Sequence, residues 1–133
     1  MKLIADLQIH SRFSRATSPS ITIQNLEKYA RLKGLNLLGT GDFTHPKWLA
    51  ELKAELKEDG SGTLTSKSGF NFVLQGEISN IYTQDGRARR VHTLLFARNF
   101  EIVEQINAAL LKKGRLDYDG RPIFGFSCIE FVE

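Results

Sequence analysis

The alternation of apolar and polar positions along the 133 residues predicts strands and helices in turn. Short continuous apolar runs indicate buried strands, whereas apolar residues three and four positions apart indicate helices with one buried face. The predicted strands are residues 2–9, 35–40, 70–82 and 89–97, and the predicted helices are residues 22–33, 47–57 and 100–113. Strand, helix, strand, helix is typical of parallel β/α construction, so the pattern predicts an α/β fold.

Turn and capping residues support these boundaries. Thr22 is a suitable N-cap for the first helix, Gly34 follows its last turn, and Pro46 suits the first turn of the second helix. The turn signal QDGR at 84–87 predicts that the last two strands form a hairpin, which interrupts the β/α order. The polar, glycine-rich residues 58–69 predict an exposed loop.

Composition places the chain among ordinary globular domains. With 41% hydrophobic and 25% charged residues, 1–133 is expected to form one domain around one core. The net charge of +3 is compatible with a nucleic-acid partner without requiring one. Cys128 is the only cysteine, so no intrachain disulfide can form, and we expect a buried structural thiol. No signal-peptide or membrane-spanning pattern occurs, and cytoplasmic localisation is expected.

Metal-ligand residue types stand near the predicted strands. His10 follows the first strand, Asp42 and His45 follow the second, Glu77 lies within the third and His92 within the fourth. Because the carboxyl ends of parallel strands converge on one face of the sheet, these residues are expected to meet. Imidazole and carboxylate ligands together suit zinc, manganese or iron.

The stretch DLQIHSRFS resembles the opening motif of the PHP (polymerase and histidinol phosphatase) superfamily, Asp-Leu-His-x-His-Ser. GTGDFTHPKW, LQGEIS and VHTLLFA follow in the order of that superfamily's next motifs, and the chain is most similar to the endonuclease Q group, whose members nick DNA beside deaminated bases. The resemblance implies a distorted (β/α) barrel with a trinuclear metal cluster. The later metal motifs, including an Asp-x-His pair, are not in this chain, so we expect a partial barrel, incomplete at its C-terminal end, with mostly parallel strands and one hairpin.

The resemblance also implies site residues. His10 matches the second histidine of the opening motif, and Asp42, Glu77 and His92 match the ligands of the following motifs, so all four are expected to bind Zn, Mn or Fe. Asp6 would orient the ligand side chains without binding the metal itself. Gln8 stands where the superfamily has its first histidine, and an amide oxygen is a weaker donor than an imidazole nitrogen.

Other interpretations of these residues remain open at this point. Gln8 is a weak or lost ligand, or a structural amide bonded to the backbone. Asp42 caps a helix or forms a turn as readily as it binds metal. His45 has no counterpart in the motifs and is expected at the loop surface. Arg12 and Arg15 either bind phosphate or are solvated loop charges.

Two functions follow from these residues. The first is a metal-dependent phosphoesterase or endonuclease, related to the DNA-repair endonuclease Q group, that hydrolyses phosphodiesters with a metal-activated water and has DNA as its partner. The alternative is a catalytically degenerate PHP-like module that binds nucleic acid or a protein. A second basic cluster, Arg87, Arg89 and Arg90, would contribute to DNA binding. An open barrel edge also predicts a homodimer or higher oligomer.

Overall fold

The computed structural model describes all residues, 1–133, and contains one sheet and four helices. The strands are β1 (Ala5–Asp6), β2 (Leu37–Gly39), β3 (Leu56–Glu58), β4 (Leu64–Ser66), β5 (Asn71–Gln84), β6 (Arg87–Ala97) and β7 (Ile123–Phe124). The helices are α1 (Ile23–Leu32), α2 (Pro46–Glu55), α3 (Phe100–Leu111) and α4 (Cys128–Val132). No helix is long and apolar enough to cross a membrane.

The seven strands form an open, mixed sheet around β5. The order is β1-β2-β5-β4-β3, and β6 and β7 also pair with β5. The pairs β1–β2, β2–β5 and β5–β7 are parallel, whereas β3–β4, β4–β5 and β5–β6 are antiparallel. The α/β prediction is therefore confirmed, but the expected mostly parallel arrangement is wrong, because a second hairpin, β3–β4, adds antiparallel pairs.

Local sequence signals placed the first helices and the main hairpin correctly. The Thr22 hydroxyl accepts a hydrogen bond from the Asn25 N–H at 3.1 Å, and Gly34 follows α1 with a φ of 75°. Asp85 and Gly86 join β5 to β6 with φ of 53° and 71°. Positive φ at both central residues matches the twist of a two-residue hairpin, which explains why Asp-Gly predicted the turn.

Two predicted boundaries are wrong. The expected loop at 58–69 contains β4, in which Leu64 is completely buried in the core. The expected strand at 2–9 pairs only at Ala5–Asp6, and beyond it the Ile9 N–H donates to the Gln75 side chain at 3.1 Å. A side chain thus replaces the strand partner, and the backbone is free to turn away from the sheet before His10.

The core lies between the sheet and the helices. Its fully buried members include Phe43, Trp48, Leu52, Phe72 and Val103. A smaller cluster packs Ile78 of β5 against the end of α3 and the chain after it. Gln75, Glu77 and Ser79 lie on the opposite face of β5, outside these two apolar clusters.

Candidate functional site

The turn after β2 determines where Asp42 points. Gly41 and Asp42 both have positive φ, 68° and 45°. A side chain on Gly41 would place its Cβ 2.8 Å from the Ile9 carbonyl oxygen, so glycine permits the close approach of this turn to the chain after β1. The Trp48 indole N–H donates to the carbonyls of Thr40 at 3.1 Å and Gly41 at 3.0 Å, which anchors the turn to α2.

Asp42 is completely buried, and the protein satisfies both carboxylate oxygens. Its Oδ2 accepts hydrogen bonds from the Ser11 N–H at 2.6 Å, the Ser11 hydroxyl at 2.7 Å and the Ser14 hydroxyl at 2.9 Å. Burial opposes ionisation, but the hydrogen bonds from His10, Ser11 and Ser14 outweigh it and lower the pKa of Asp42. The side chain does not cap α2, whose N-cap is His45, so the capping interpretation is wrong.

His10 links Asp42 to Glu77. Its Nδ1 lies 3.0 Å from Asp42 Oδ1, and its Nε2 lies 3.2 Å from Glu77 Oε2. The hydrogen bond with Asp42 raises the pKa of His10, the charges of Asp42 and Glu77 add to this effect, and burial opposes it. A carboxylate on Nδ1 fixes the ring orientation and tautomer, which is how proteins orient metal-binding histidines. Asp42 is thus placed to orient His10.

Glu77 lies at the centre of the polar groups and is only 1% exposed. His92 Nδ1 is 2.8 Å from Glu77 Oε1, and the His92 side chain is 46% exposed. These are ion-pair distances, but neither Glu77 oxygen accepts a hydrogen bond of good geometry. A buried carboxylate without donors is costly unless a positive charge compensates it.

We call Asp42, His10, Glu77 and His92 the site cluster. Of the five residues expected to meet, these four do so through contacts that link them in series, whereas the His45 side chain makes no hydrogen bond or ion pair with them. The side chains pair with one another, and no group of three His, Cys, Asp or Glu side chains is arranged around a common point to hold a metal ion. Their role as ligands stays a prediction.

Other candidate residues lie outside the site cluster. Gln8 is exposed and its side chain makes no hydrogen bond, so the structural-amide interpretation is wrong. Asp6 accepts a hydrogen bond only from the Gln8 N–H, at 3.1 Å, and does not contact His10. The surface position expected for His45 is also wrong: it is buried and stacks on Phe13 with 4.4 Å between ring centroids. Burial lowers the pKa of His45.

The two arginines of the loop after His10 differ in how far the protein binds their guanidinium groups. Arg12 pairs with Glu51, donates to the Ile21 carbonyl at 2.8 Å and lies over the Phe13 ring, so this guanidinium serves the fold rather than a phosphate. Arg15 is 85% exposed, with its Nε 3.6 Å from Asp119 Oδ2.

The hairpin arginines do not share one surface. Cross-strand partners lie on the same face of a sheet, and here Arg90 pairs with Ile81 and His92 with Ser79. Arg90 is therefore on the face that carries Glu77 and His92. Arg87 and Arg89, at odd positions of the same strand, lie on the other face.

The segment after α3 supplies residues that the sequence did not reveal. A Cβ on Gly120 would overlap Asp42 Oδ2 and lie 2.5 Å from the Ser14 hydroxyl, so this glycine covers the buried carboxylate. Arg121 Nη1 lies 3.9 Å from Glu77 Oε1. In the sequence, Asp119 and Gly120 indicate only a turn. Cys128 was expected to be buried, but it is half-buried, with its Sγ 3.1 Å from the Tyr82 hydroxyl.

Comparison with known proteins relates the fold of this chain to that of a lesion-specific endonuclease. No protein-family model matches the chain. An uncharacterized protein of Methanocaldococcus jannaschii is 35% identical over 129 residues, which are 96% of this chain and 14% of that protein. The crystal structure of the lesion-specific endonuclease PfuEndoQ from Pyrococcus furiosus matches with a TM-score of 0.82 and 32% identity, over 96% of this chain and 30% of the other.

A second endonuclease Q structure, in complex with a 27-mer duplex substrate with an abasic lesion at the active site, matches with a TM-score of 0.82, 33% identity and the same coverage. The chain thus spans less than a third of the length of the proteins it matches. Over nearly all of its own length, it has the fold of the corresponding part of endonuclease Q.

Proposed function

We propose that this chain is the metal-binding part of a phosphodiesterase of the PHP type that acts on DNA, as its endonuclease Q neighbours do. In this proposal the open sheet is part of a distorted barrel, and residues 1–133 form one incomplete domain. The observation that carries the proposal is the site cluster, in which two imidazoles and two buried carboxylates contact one another in series.

The donor set fits a divalent zinc, manganese or iron ion, because these ions accept mixed imidazole and carboxylate ligands. His10, Glu77 and His92 would hold it, and the two buried Glu77 oxygens that lack hydrogen-bond donors support this assignment. When bound, such an ion supplies activation of water and charge stabilisation at a phosphoryl oxygen. The three side chains would exchange their mutual contacts for bonds to the ion.

The remaining groups of the site position His10. Asp42 would accept a hydrogen bond from the Nδ1–H of a neutral His10 ring, which leaves the lone pair on Nε2, the nitrogen that faces Glu77. Ser11 and Ser14 in turn fix the Asp42 carboxylate. We therefore assign Asp42 an orienting role in place of the direct ligation that the resemblance implies.

DNA binding is the second part of the proposal. Exposed arginines bind phosphates without sequence preference, and each phosphate contact makes affinity fall with salt. Arg90 is exposed on the same face as His92, and Arg15 extends from the loop that follows His10. We expect weak, salt-sensitive binding of duplex DNA, and loss of binding in Arg90→Gln at moderate salt.

The metal proposal is tested by elemental analysis of protein purified without chelator, followed by calorimetric titration with Mn²⁺ or Zn²⁺. We expect metal to bind the wild type and to be lost in Glu77→Gln. Asp59→Asn is the matched control, because Asp59 is an exposed carboxylate in the loop between β3 and β4. A wild type that binds no ion, or a Glu77→Gln variant that binds as tightly as the control, would contradict the proposal.

A second candidate is a catalytically degenerate module that binds nucleic acid or a protein partner. The exposed, unbonded Gln8 side chain favours it, since this position holds an amide where the PHP motif has histidine. Incubation with a labelled 27-mer duplex containing an abasic site separates the two candidates. Nicking that requires added metal supports the hydrolase, whereas binding without metal uptake or nicking supports the module.

A further inference from the structure

Arg121 is held beside the site cluster by fixed backbone on both sides. Its own N–H donates to Asp119 Oδ1 at 2.9 Å, and the preceding Gly120 N–H donates to the Phe13 carbonyl at 3.1 Å. On the other side, the Pro122 carbonyl accepts the Ser79 N–H of β5 at 2.9 Å. The segment is thus tied both to the loop after His10 and to the strand that carries Glu77.

The Arg121 guanidinium lies close to Glu77 but forms no hydrogen bond with it. The 3.9 Å between Nη1 and Glu77 Oε1 is an ion-pair distance without a hydrogen bond, and the side chain is 39% exposed. Arg121 donates no side-chain hydrogen bond to the protein, in contrast to Arg12 with Glu51 and Arg115 with Asp117. Its donors are therefore available to an anion that approaches the site cluster from solvent.

We propose that Arg121 binds a phosphate oxygen of a phosphodiester seated at the site cluster. This inference rests on the proposed function and gives the site a group that recognises its substrate. Guanidinium donors match phosphate oxygens in charge and in forked geometry. Arg121 takes the role that the sequence suggested for Arg12, whose guanidinium is engaged elsewhere.

Binding of a fluorescently labelled 27-mer duplex with an abasic site tests the assignment by anisotropy at several salt concentrations. We expect Arg121→Gln to weaken binding about tenfold, as for the loss of one charge-assisted contact, and to reduce the slope of log affinity against log salt by about one. Arg121→Lys should recover part of the affinity. Arg115→Gln is the matched control, because it removes the same charge from an exposed arginine paired only with Asp117.

Two further measurements separate the role of Arg121 from folding and from metal binding. Arg121→Gln should still unfold in one cooperative melting transition, because the Arg121 side chain donates no hydrogen bond to the protein. It should bind Mn²⁺ at least as tightly as the wild type, because Arg121 is not an assigned ligand and its charge, 3.9 Å from Glu77, opposes a cation at that carboxylate. Normal metal uptake with weakened duplex binding supports the assignment. A wild type that binds duplex but no metal refutes the hydrolase while leaving the Arg121 comparison valid. Equal duplex affinity in Arg121→Gln and Arg115→Gln, or no duplex binding by the wild type at low salt, overturns the assignment.

Discussion

Gly120→Ala is the sharpest test of how the site is built. The added Cβ would overlap Asp42 Oδ2 and lie 2.5 Å from the Ser14 hydroxyl. Neither obstacle is the free end of a flexible chain, because the Asp42 carboxylate is fixed by four donors. Either the segment around residue 120 must withdraw, or Asp42 must give up hydrogen bonds.

Both responses cost stability. Overpacking a fixed site costs about 1–3 kcal/mol, and loss of a hydrogen bond to a buried charge costs about 1.5–3 kcal/mol. A shift of Asp42 that breaks its hydrogen bonds also reduces the overpacking, so the two costs do not add in full. We expect the free energy of unfolding to fall by about 3 kcal/mol. For a chain of this size, that loss corresponds to a melting temperature lower by roughly 10 °C.

Urea denaturation followed by circular dichroism measures the effect. Gly125→Ala is the matched control, because a Cβ at that position meets nothing within 4 Å and the backbone φ is not positive. The control should stay within about 0.5 kcal/mol of the wild type. If Gly120→Ala unfolds at the same urea concentration as Gly125→Ala, Gly120 does not cover Asp42 and our account of the buried carboxylate is wrong.

Three other predictions concern the fold, the metal site and assembly. Burial raises the pKa of Glu27, but hydrogen bonds from Ser68, Ser66 and Arg31 outweigh burial and lower that pKa from its ordinary value of 4.5. The ionised Glu27 side chain therefore stabilises the fold above pH 4.5, and this stabilisation is lost as the pH falls through the lowered pKa. Glu27→Gln should therefore lower the free energy of unfolding by about 2 kcal/mol at pH 7, and the difference from wild type should shrink toward pH 3 in acid titrations of stability. Gln8→His should raise the metal bound per chain in calorimetry, and an unchanged titration would remove position 8 from the ligands. Because β1 has a strand neighbour on one side only, sedimentation equilibrium should show self-association, and a monomer at all concentrations would refute that expectation.

The elements that the sequence predicted well are those determined by nearby residues. The cap of α1 depends on Thr22 and Asn25, three positions apart, and the β5–β6 hairpin depends on Asp85 and Gly86. Such signals act within a few residues, so they are visible without a fold. The approach of His10 to Asp42 was also predictable, because both residues follow parallel strands, whose carboxyl ends lie together. The position of Glu77 depends in addition on the register of β5, which pairs with β2 only at residues 71–73 and continues beyond it.

The elements that the sequence missed depend on distant partners. Strand β4 exists because Leu64 is buried in the core and the strand pairs with β3 and β5, although its neighbours in sequence are polar. The sequence also could not show which of Arg12 and Arg121 has its guanidinium free to bind phosphate. Both are arginines near glycine, serine or proline, and only the fold assigns one to Glu51 and leaves the donors of the other free.

Asp42 shows why a motif identifies residues better than it identifies their roles. Capping and metal ligation are both ordinary uses of an aspartate after glycine, and the sequence favours neither. In the structure, the positive φ at Gly41 and Asp42 turns the carboxylate inward. There Ser11 and Ser14 donate three hydrogen bonds to Oδ2, and His10 Nδ1 contacts Oδ1. An oxygen that already accepts three hydrogen bonds would have to lose them to bind an ion, whereas His10 presents Nε2 to Glu77 without such a loss. This difference in cost supports our proposal that His10 binds the ion directly and that Asp42 orients it, since ligand-orienting carboxylates contribute to affinity through the histidine that they hold.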